Sequence, residues 1–244
     1  GPTTDTRFKP LELIPGLNIG GFFDAGDFDI ETGSNIMVVE NFVRTWEYFK
    51  PFRDQTFVDQ KKRYVDLHRP DGTPDILQFI EHGTLNLVAQ AEIIGHMAQT
   101  LSNSVLDNYH HLGDAASITD GLPYNPDLGP YETAADGRSS GVRDDMWAFT
   151  SRNPGLDLSA ATMFAAASRA LKGYNNDLSE RALRQSKRLL EEATVLIANR
   201  PQDNRTWGGG PANLGTYLEL FISTGEEQYR DKFLELLWPS LDRF

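Results

Sequence analysis

Two aspartates near the start of the chain have the spacing of a pair that could activate water. Asp24 and Asp27 are separated by Ala-Gly and lie among aromatic residues, with Phe23 before the first aspartate and Phe28 after the second. Two such carboxylates can hold one water molecule, so that one removes its proton while the other orients it. The glycine between them, Gly26, lets the backbone turn tightly. The flat rings offer an apolar surface to the C–H face of a sugar.

The bare Asp-Ala-Gly-Asp pattern also leaves other interpretations open. A surface turn, in which the aspartates bond to nearby backbone N–H groups, has the same composition. A calcium-binding loop is a third interpretation. The EF-hand pattern fails, however, because a count from Asp27 puts Thr32 at the invariant glycine and Val38 at the terminal glutamate.

The composition favours a neutral ligand over a nucleic acid or a membrane. The 244 residues carry a formal net charge of −12, which disfavours contact with phosphate backbones and with anionic membrane surfaces. There is no cysteine, so disulfides, zinc–thiolate sites and thiol nucleophiles are excluded. No apolar run approaches the roughly 18 residues of a membrane span. We expect one domain, no nucleic-acid partner, no membrane insertion and no signal peptide in these residues.

Helical periodicity dominates the rest of the chain. Apolar residues recur at spacings of three and four in six stretches. We predict helices over 36–49, 73–101, 158–172, 178–199, 212–223 and 226–238. Thr73 is expected to cap the second helix, with Pro74 at its first position. No set of alternating strands is evident, and residues 102–154 are predicted to form functional loops. The pattern predicts an all-α fold of stacked helical hairpins.

At several places, in the same order, the chain resembles glycoside hydrolase family 9. Residues 20–27 match the family's Gly-Gly-aromatic-aromatic-Asp-Ala-Gly-Asp motif. Pro-Asp-Ile-Leu at 74–77 looks like a family helix start, and Leu-Gly-Asp at 112–114 resembles its Val-Gly-Asp segment. Asp-Leu at 157–158 leads into Ala-Ala-Ala-Ser-Arg at 165–169, as in the family's alanine-rich helix.

The resemblance implies a fold of six helical hairpins closed into an (α/α)6 barrel, and an inverting hydrolysis without a cofactor. One carboxylate activates water, and an acid about 6.5–9.5 Å away protonates the leaving oxygen. By position in the motif, Asp27 would be the general base and Asp24 would help to hold the same water. Phe23 and Phe28, together with Phe22, would shape the neighbouring sugar subsites, unless one or more of them pack in the core.

The sequence also departs from the family's pattern. The family's general acid is a glutamate in an Asn-Glu segment, for which these residues contain no match, and the helix that precedes the aspartate loop is missing. Six predicted helices stand where the barrel needs twelve. We therefore expect residues 1–244 to be a partial family 9-like domain, which needs the missing part of the same domain as a partner. Residues 115–120 lack the family's Asp-His pair. Asp157 is followed by Ala161 instead of a glutamate, so no metal site is predicted.

Three further residues are candidates for substrate contacts. His110 and His111 stand in the predicted loops, where a hydrogen bond to the substrate or an ordinary loop contact is expected. Trp147 precedes the alanine-rich helix, where it can serve as a sugar platform or pack in the core. Tyr124, Tyr131 and Trp207 are weaker candidates of the same kind.

The leading functional hypothesis is a glycosidase that cuts β-1,4-glucan or a related polysaccharide, secreted or periplasmic because its substrate is a polymer. A non-catalytic carbohydrate-binding protein on the same scaffold is the first alternative, since the general acid has no match here. An exo-acting, glucosaminidase-like enzyme is the second, because residues 115–120 are altered. The linkage, the backbone sugar and the oligomeric state are left open.

Overall fold

The structure is a computed structural model, and it describes residues 6–8, 14–24, 29–59, 62, 64–103, 120, 122–142, 146–199 and 213–241. Six helices account for most of this part of the chain. They are α1 (Thr32–Phe49), α2 (Asp75–Ile93), α3 (Pro154–Leu171), α4 (Asn176–Ala198), α5 (Leu214–Thr224) and α6 (Glu227–Leu241). Five short strands accompany them: β1 (Asp29–Glu31), β2 (Phe57–Asp59), β3 (Tyr64–Asp66), β4 (Thr100–Asn103) and β5 (Met146–Ala148). No helix of this part has both the length and the apolar character that crossing a bilayer requires.

The alanine-rich helix α3 lies at the centre of the main core, where it packs against α1, α2, α4 and α5. Its Phe164 is completely buried. Small side chains bring α4 close enough for direct hydrogen bonds to the backbone of α3. The Ser186 hydroxyl donates to the Ala161 carbonyl at 2.6 Å, and the Ser179 hydroxyl donates to the Ser168 carbonyl at 2.7 Å. The short connection between α3 and α4 makes them a helical hairpin, as predicted.

The C-terminal ends of α1, α3 and α5 meet at one arginine. The Arg169 guanidinium bonds to Glu47 of α1 at 2.9 Å, and to the Glu219 carboxylate and the Ser223 hydroxyl of α5 at 2.8 and 2.7 Å. Farther back along α3, the hydroxyl of Thr162 lies 2.8 Å from that of Thr216, near the start of α5. Contacts therefore advance together along α3 and α5, which run in the same direction.

Helix α2 differs from the prediction at both ends. Pro74 is its N-cap and no side chain caps it, so the predicted cap at Thr73 is wrong. The helix ends at Ile93 and the chain turns at Gly95, whose φ is +96°. The predicted continuation to Leu101 is also wrong. The apolar residues beyond the turn are buried because they belong to a second core cluster, made of Ile14, Leu17, Ile30, Ala89, Ile94, Ala98 and Leu101.

The sequence did not predict the strands. β1, β4 and β5 form an antiparallel sheet in the order β1-β4-β5, and β2 and β3 form a separate hairpin. Each strand has only three or four residues, which is too few for an alternating pattern to stand out. The three-stranded sheet joins the start of α1 to the segment before α3.

Candidate active site

Gly20 and Gly21 hold the start of the acidic segment, residues 20–29, directly against helix α2. The backbone N–H of Gly21 donates to the carbonyl of His82 at 3.0 Å, and the His82 ring lies 2.9 Å from the Gly21 carbonyl. Gly20 and Gly21 have φ values of +55° and +85°. A Cβ on Gly20 would overlap the His82 carbonyl oxygen. Both the backbone conformation and the close approach therefore require glycine at position 20.

A buried asparagine of α1 holds the next residue. The amide of Asn35 accepts the N–H of Phe22 and donates to the Phe22 carbonyl, both at 2.8 Å. The Phe22 ring lies 5.2 Å from the His82 ring and 6.1 Å from the Phe42 ring. It also rests against Gly83, where a larger residue would collide with it. Phe22 therefore packs between α1 and α2 and anchors the segment.

A pair of buried amides on α2 fixes the surrounding backbone. Asn86 donates to the Leu17 carbonyl at 3.0 Å and accepts from Gln90 at 2.9 Å. The other amide atom of Gln90 accepts from the Thr32 hydroxyl at 3.3 Å and from the Ala98 N–H at 3.1 Å. The two side chains thus connect the chain before the acidic segment, the start of α1 and the turn after α2. Sequence analysis missed them, although polar residues four apart on an otherwise buried helix face were a usable signal.

The acidic segment itself is only partly described. Asp24 is exposed, and its N–H donates to the carbonyl of Asp29 at 2.9 Å. This bond joins the two ends of the loop 24–29. Asp27 and Phe28 lie outside the described residues, so their predicted roles stay predictions. Phe23 is half-buried and packs against the second core cluster, so the two phenylalanines at 22 and 23 contact different parts of the core.

The three-stranded sheet brings the candidate loops to one of its ends. Asp29 pairs with Ser102, and Ser102 pairs with Trp147. Since both pairings are antiparallel, the chain enters β1, leaves β4 and enters β5 at the same end of the sheet. Residues 25–28, 104–119 and 143–145 are attached there. His110 and His111 belong to the second of these stretches and lie outside the described residues. For Trp147 the backbone pairing is described but the side chain is not.

An ion-pair group around the buried Asp157 holds the turn that precedes β4. Asp157 of α3 is fully buried, and its carboxylate accepts from the Met97 N–H at 3.0 Å and from Arg152 at 2.8 Å. Arg152 also bonds to Glu192 at 2.7 Å, and Arg188 bonds to the same carboxylate at 2.8 Å. Burial alone would raise the pKa of Glu192, but the two arginines outweigh it and lower that pKa below its ordinary 4.5. Protein donors therefore occupy both oxygens of Asp157.

The remaining aromatic candidates are Tyr124, Tyr131 and Trp207. Tyr124 lies in a short bridge to Ser140. Tyr131 is 88 % exposed and adopts a φ of +73°, in the loop region that follows. Trp207 lies outside the described residues. The role of the two tyrosines as sugar platforms stays a prediction.

Comparisons with known proteins show the fold. No protein-family model and no curated protein matches the chain. A metagenome-derived glycoside hydrolase family 9 endoglucanase matches with a TM-score of 0.55 and 17 % identity, over 89 % of this chain and 35 % of that one. A Bacteroides ovatus family 9 protein gives 0.53 and 16 %, over 88 % and 37 %. AaCel9A in complex with a cellobiose-like isofagomine gives 0.55 and 16 %, over 89 % and 37 %.

The likeness confirms the predicted fold class. The chain is all-α and shares the fold of part of the family 9 endoglucanases, whose helices form an (α/α)6 barrel. It spans 35–37 % of the length of these solved structures. At such low sequence identities the likeness concerns the fold, and the chemistry must be argued from the residues of this chain.

Proposed function

We propose that this chain carries the water-activating part of an inverting glycoside hydrolase that cleaves β-1,4-glucan or a related polysaccharide. One observation carries the proposal. The Gly-Gly-Phe-Phe-Asp-Ala-Gly-Asp motif is seated on α2 through Gly20 and Gly21, in a fold shared with family 9 endoglucanases. The substrate class is supported by AaCel9A, which has the same fold and binds a cellobiose-like isofagomine.

The proposed reaction uses the two aspartates on a single water molecule. Asp27 removes a proton from the water as its oxygen attacks the anomeric carbon, and Asp24 orients the water through a hydrogen bond. The C–O bond to the leaving sugar breaks, and a general acid gives its proton to the leaving oxygen. Attack from the face opposite the leaving group inverts the anomeric configuration. The residue that acts as the acid is left unassigned.

The geometry of the described residues suits this role for Asp24. Its backbone is fixed by the bond to Asp29, while its side chain is exposed. The preceding residue pair is held by Asn35 and His82. A carboxylate on a fixed backbone loses little freedom when it orients a water, which favours catalysis. A polymeric substrate is met outside the cell, so we also propose that the protein is secreted or periplasmic.

A non-catalytic carbohydrate-binding protein is the second candidate. The observation in its favour is that a surface turn of the same Asp-Ala-Gly-Asp composition needs no catalytic role. An exo-acting enzyme would follow from the altered stretch 115–120. Bond cleavage separates the first alternative from the proposal, and the size of the first products separates the second.

The test is to incubate the full-length gene product with a panel of polysaccharides, to measure reducing-sugar release and to follow the first product by ¹H NMR. We expect release from β-1,4-glucans, with the α-anomer appearing first. Binding without release would favour the carbohydrate-binding protein, and products of a single small size would favour exo action. A β-anomer as the first product would contradict the inverting mechanism.

A further inference from the structure

Two phenylalanines are almost fully exposed at the end of α1 that is remote from the candidate active site. Phe49 is 78 % exposed and Phe52 is 90 % exposed. They line a shallow groove of about 610 Å³ together with Lys50, Arg53, Asp54 and Gln55. Helix α1 has 18 residues, so at 1.5 Å per residue about 27 Å of helix lies between the groove and β1, which follows the aspartate loop.

The helix end fixes one side of the groove. Lys50 is the C-cap of α1 in the left-handed conformation, with a φ of 44°, and its N–H donates to the Trp46 carbonyl at 3.1 Å. Its ammonium group lies 4.5 Å from the centre of the Trp46 ring, within the range of a cation–π contact. The chain turns sharply at Lys50, and Phe49 and Phe52 stand on either side of this turn.

Buried carboxylate contacts fix the other side. Asp75 at the start of α2 accepts the backbone N–H groups of Gln55 and Thr56, both at 2.9 Å. Its own N–H donates to the Arg53 carbonyl at 2.8 Å, and the Arg53 guanidinium donates to the Gln55 side chain at 2.7 Å. Asp54 accepts two N–H groups of the segment that leads into α2. The groove is therefore preorganised, and a ligand would pay little entropy for ordering it.

The groove combines apolar rings with hydrogen-bonding groups, which is the chemistry that a saccharide needs. Sugar rings present apolar C–H faces to aromatic side chains and hydroxyl groups to amide, guanidinium and ammonium donors. Burial of the two rings by another part of the protein is the competing outcome, in which the phenylalanine variants bind polymer as the parent does. A neutral saccharide is not repelled by the chain's net charge of −12.

We propose that this groove is a second saccharide-binding site, which holds a few sugar units of a polysaccharide away from the catalytic loop. The identification of the sugar as a β-1,4-glucan rests on the proposed function. Phe49 and Phe52 supply the stacking surfaces, and Arg53 and Gln55 supply hydrogen bonds at its edge. The site would keep the enzyme on a polymer between cleavage events.

The test compares Phe49→Ala and Phe52→Ala with the parent in the full-length gene product. Leu67→Ala is the matched control, because Leu67 is an apolar side chain that is 65 % exposed and does not line the groove. Binding to amorphous cellulose and to a panel of other polysaccharides is measured by depletion at low temperature. Hydrolysis of a short soluble cello-oligosaccharide is measured separately. We expect each phenylalanine variant to bind the polymer about tenfold more weakly, with kcat/KM on the short substrate unchanged.

The outcomes separate this proposal from the proposed function. If the parent hydrolyses the short substrate and both phenylalanine variants bind polymer as it does, the groove proposal alone is wrong. If the parent hydrolyses nothing but binds a polysaccharide through Phe52, the groove is supported and the catalytic proposal is wrong. Loss of binding in Leu67→Ala, or loss of short-substrate hydrolysis in a phenylalanine variant, would overturn the assignment of a separate site.

Discussion

At the scale of single residues, glycine at positions 20 and 21 decides where the acidic segment lies. Both residues have positive φ values, and the backbone of α2 leaves no room for a side chain at position 20. Gly72 offers a comparison, since its φ is +86° but nothing lies within 4 Å of a Cβ placed on it. A comparison of positions 20 and 72 therefore separates two free-energy costs of a side chain, the strained backbone conformation and the collision.

We predict that Gly20→Ala destabilises the protein much more than Gly72→Ala. The control should cost about 1–2 kcal/mol, which is the usual strain of a left-handed non-glycine residue. Gly20→Ala adds an overlap with the His82 carbonyl oxygen, which only a shift of the segment away from α2 can relieve. Urea unfolding of both variants measures the difference. Equal losses in the free energy of unfolding would contradict the close contact of Gly20 with α2.

At the scale of elements, the turn after α2 is fixed to α3 and α4 by the buried ion-pair group. Met97 in that turn donates to Asp157, which is fully buried and shares Arg152 with Glu192 of α4. Breaking such a group from one side leaves a buried charge without its partner, which costs far more than the loss of a surface pair. The turn leads directly into β4, so the group fixes the end at which this strand begins.

We predict that Arg152→Gln lowers the free energy of unfolding by about 3 kcal/mol, because Asp157 is left buried without a cation. Arg44→Gln is the control, since Arg44 is 63 % exposed and its pair with Glu40 spans 3.9 Å. The control should change stability by less than about 0.5 kcal/mol. Denaturant unfolding at pH 7 tests both. A similar small effect in both variants would contradict the structural role of Arg152.

The ion-pair group of Arg152, Asp157 and Glu192 should also make the stability of the protein depend on pH. The folded-state pKa of Glu192 is lowered, so its contribution to stability is present above its ordinary pKa of 4.5 and is lost as the pH falls through the lower folded value. Arg152→Gln removes one of the two arginines that cause this shift. We therefore expect the stability difference between the parent and the variant to narrow below pH 4.5. Unfolding curves at pH 7, 4.5 and 3 would show it, and a constant difference would contradict it.

Helix positions were predicted well where the periodicity was long, and poorly where buried residues left the helix. Helices α3 to α6 begin and end within four residues of the predicted bounds. The second helix was predicted too long because Ala98 and Leu101 keep the apolar spacing while packing in another cluster, after a turn at Gly95. The acidic motif was recognised from its residue types. The residues that hold it in place, Asn35, His82, Asn86 and Gln90, make contacts between positions that are distant in the sequence. Spacing alone cannot predict such contacts.

At the scale of the whole molecule, Arg169 links three helices, α1, α3 and α5, at their C-terminal ends. Its guanidinium bonds to Glu47 of α1 and to Glu219 and Ser223 of α5. Burial alone would lower the pKa of Arg169, but the two glutamates outweigh it and raise that pKa. Arg169 thus holds α1, α3 and α5 together at their C-terminal ends.

We predict that Arg169→Gln destabilises the protein by about 2 kcal/mol, less than a fully buried pair because the partner carboxylates keep some contact with water. Arg184→Gln is the control, since both members of its pair with Glu180 are more than 60 % exposed. Thermal unfolding compares the two. An Arg169→Gln variant as stable as the control would contradict the role of Arg169 in holding α1 and α5 on α3.

The central claim concerns the aspartate loop, and the most direct test is the rate of glucan hydrolysis by Asp27→Asn in the full-length gene product. Asp177→Asn is the matched control, because that side chain is 80 % exposed at the start of α4. We predict that kcat falls by about 10²–10⁴-fold or more in Asp27→Asn, with unchanged melting temperature and polysaccharide binding, while the control keeps the parent rate. Hydrolysis at the parent rate by Asp27→Asn would contradict the assignment of the general base.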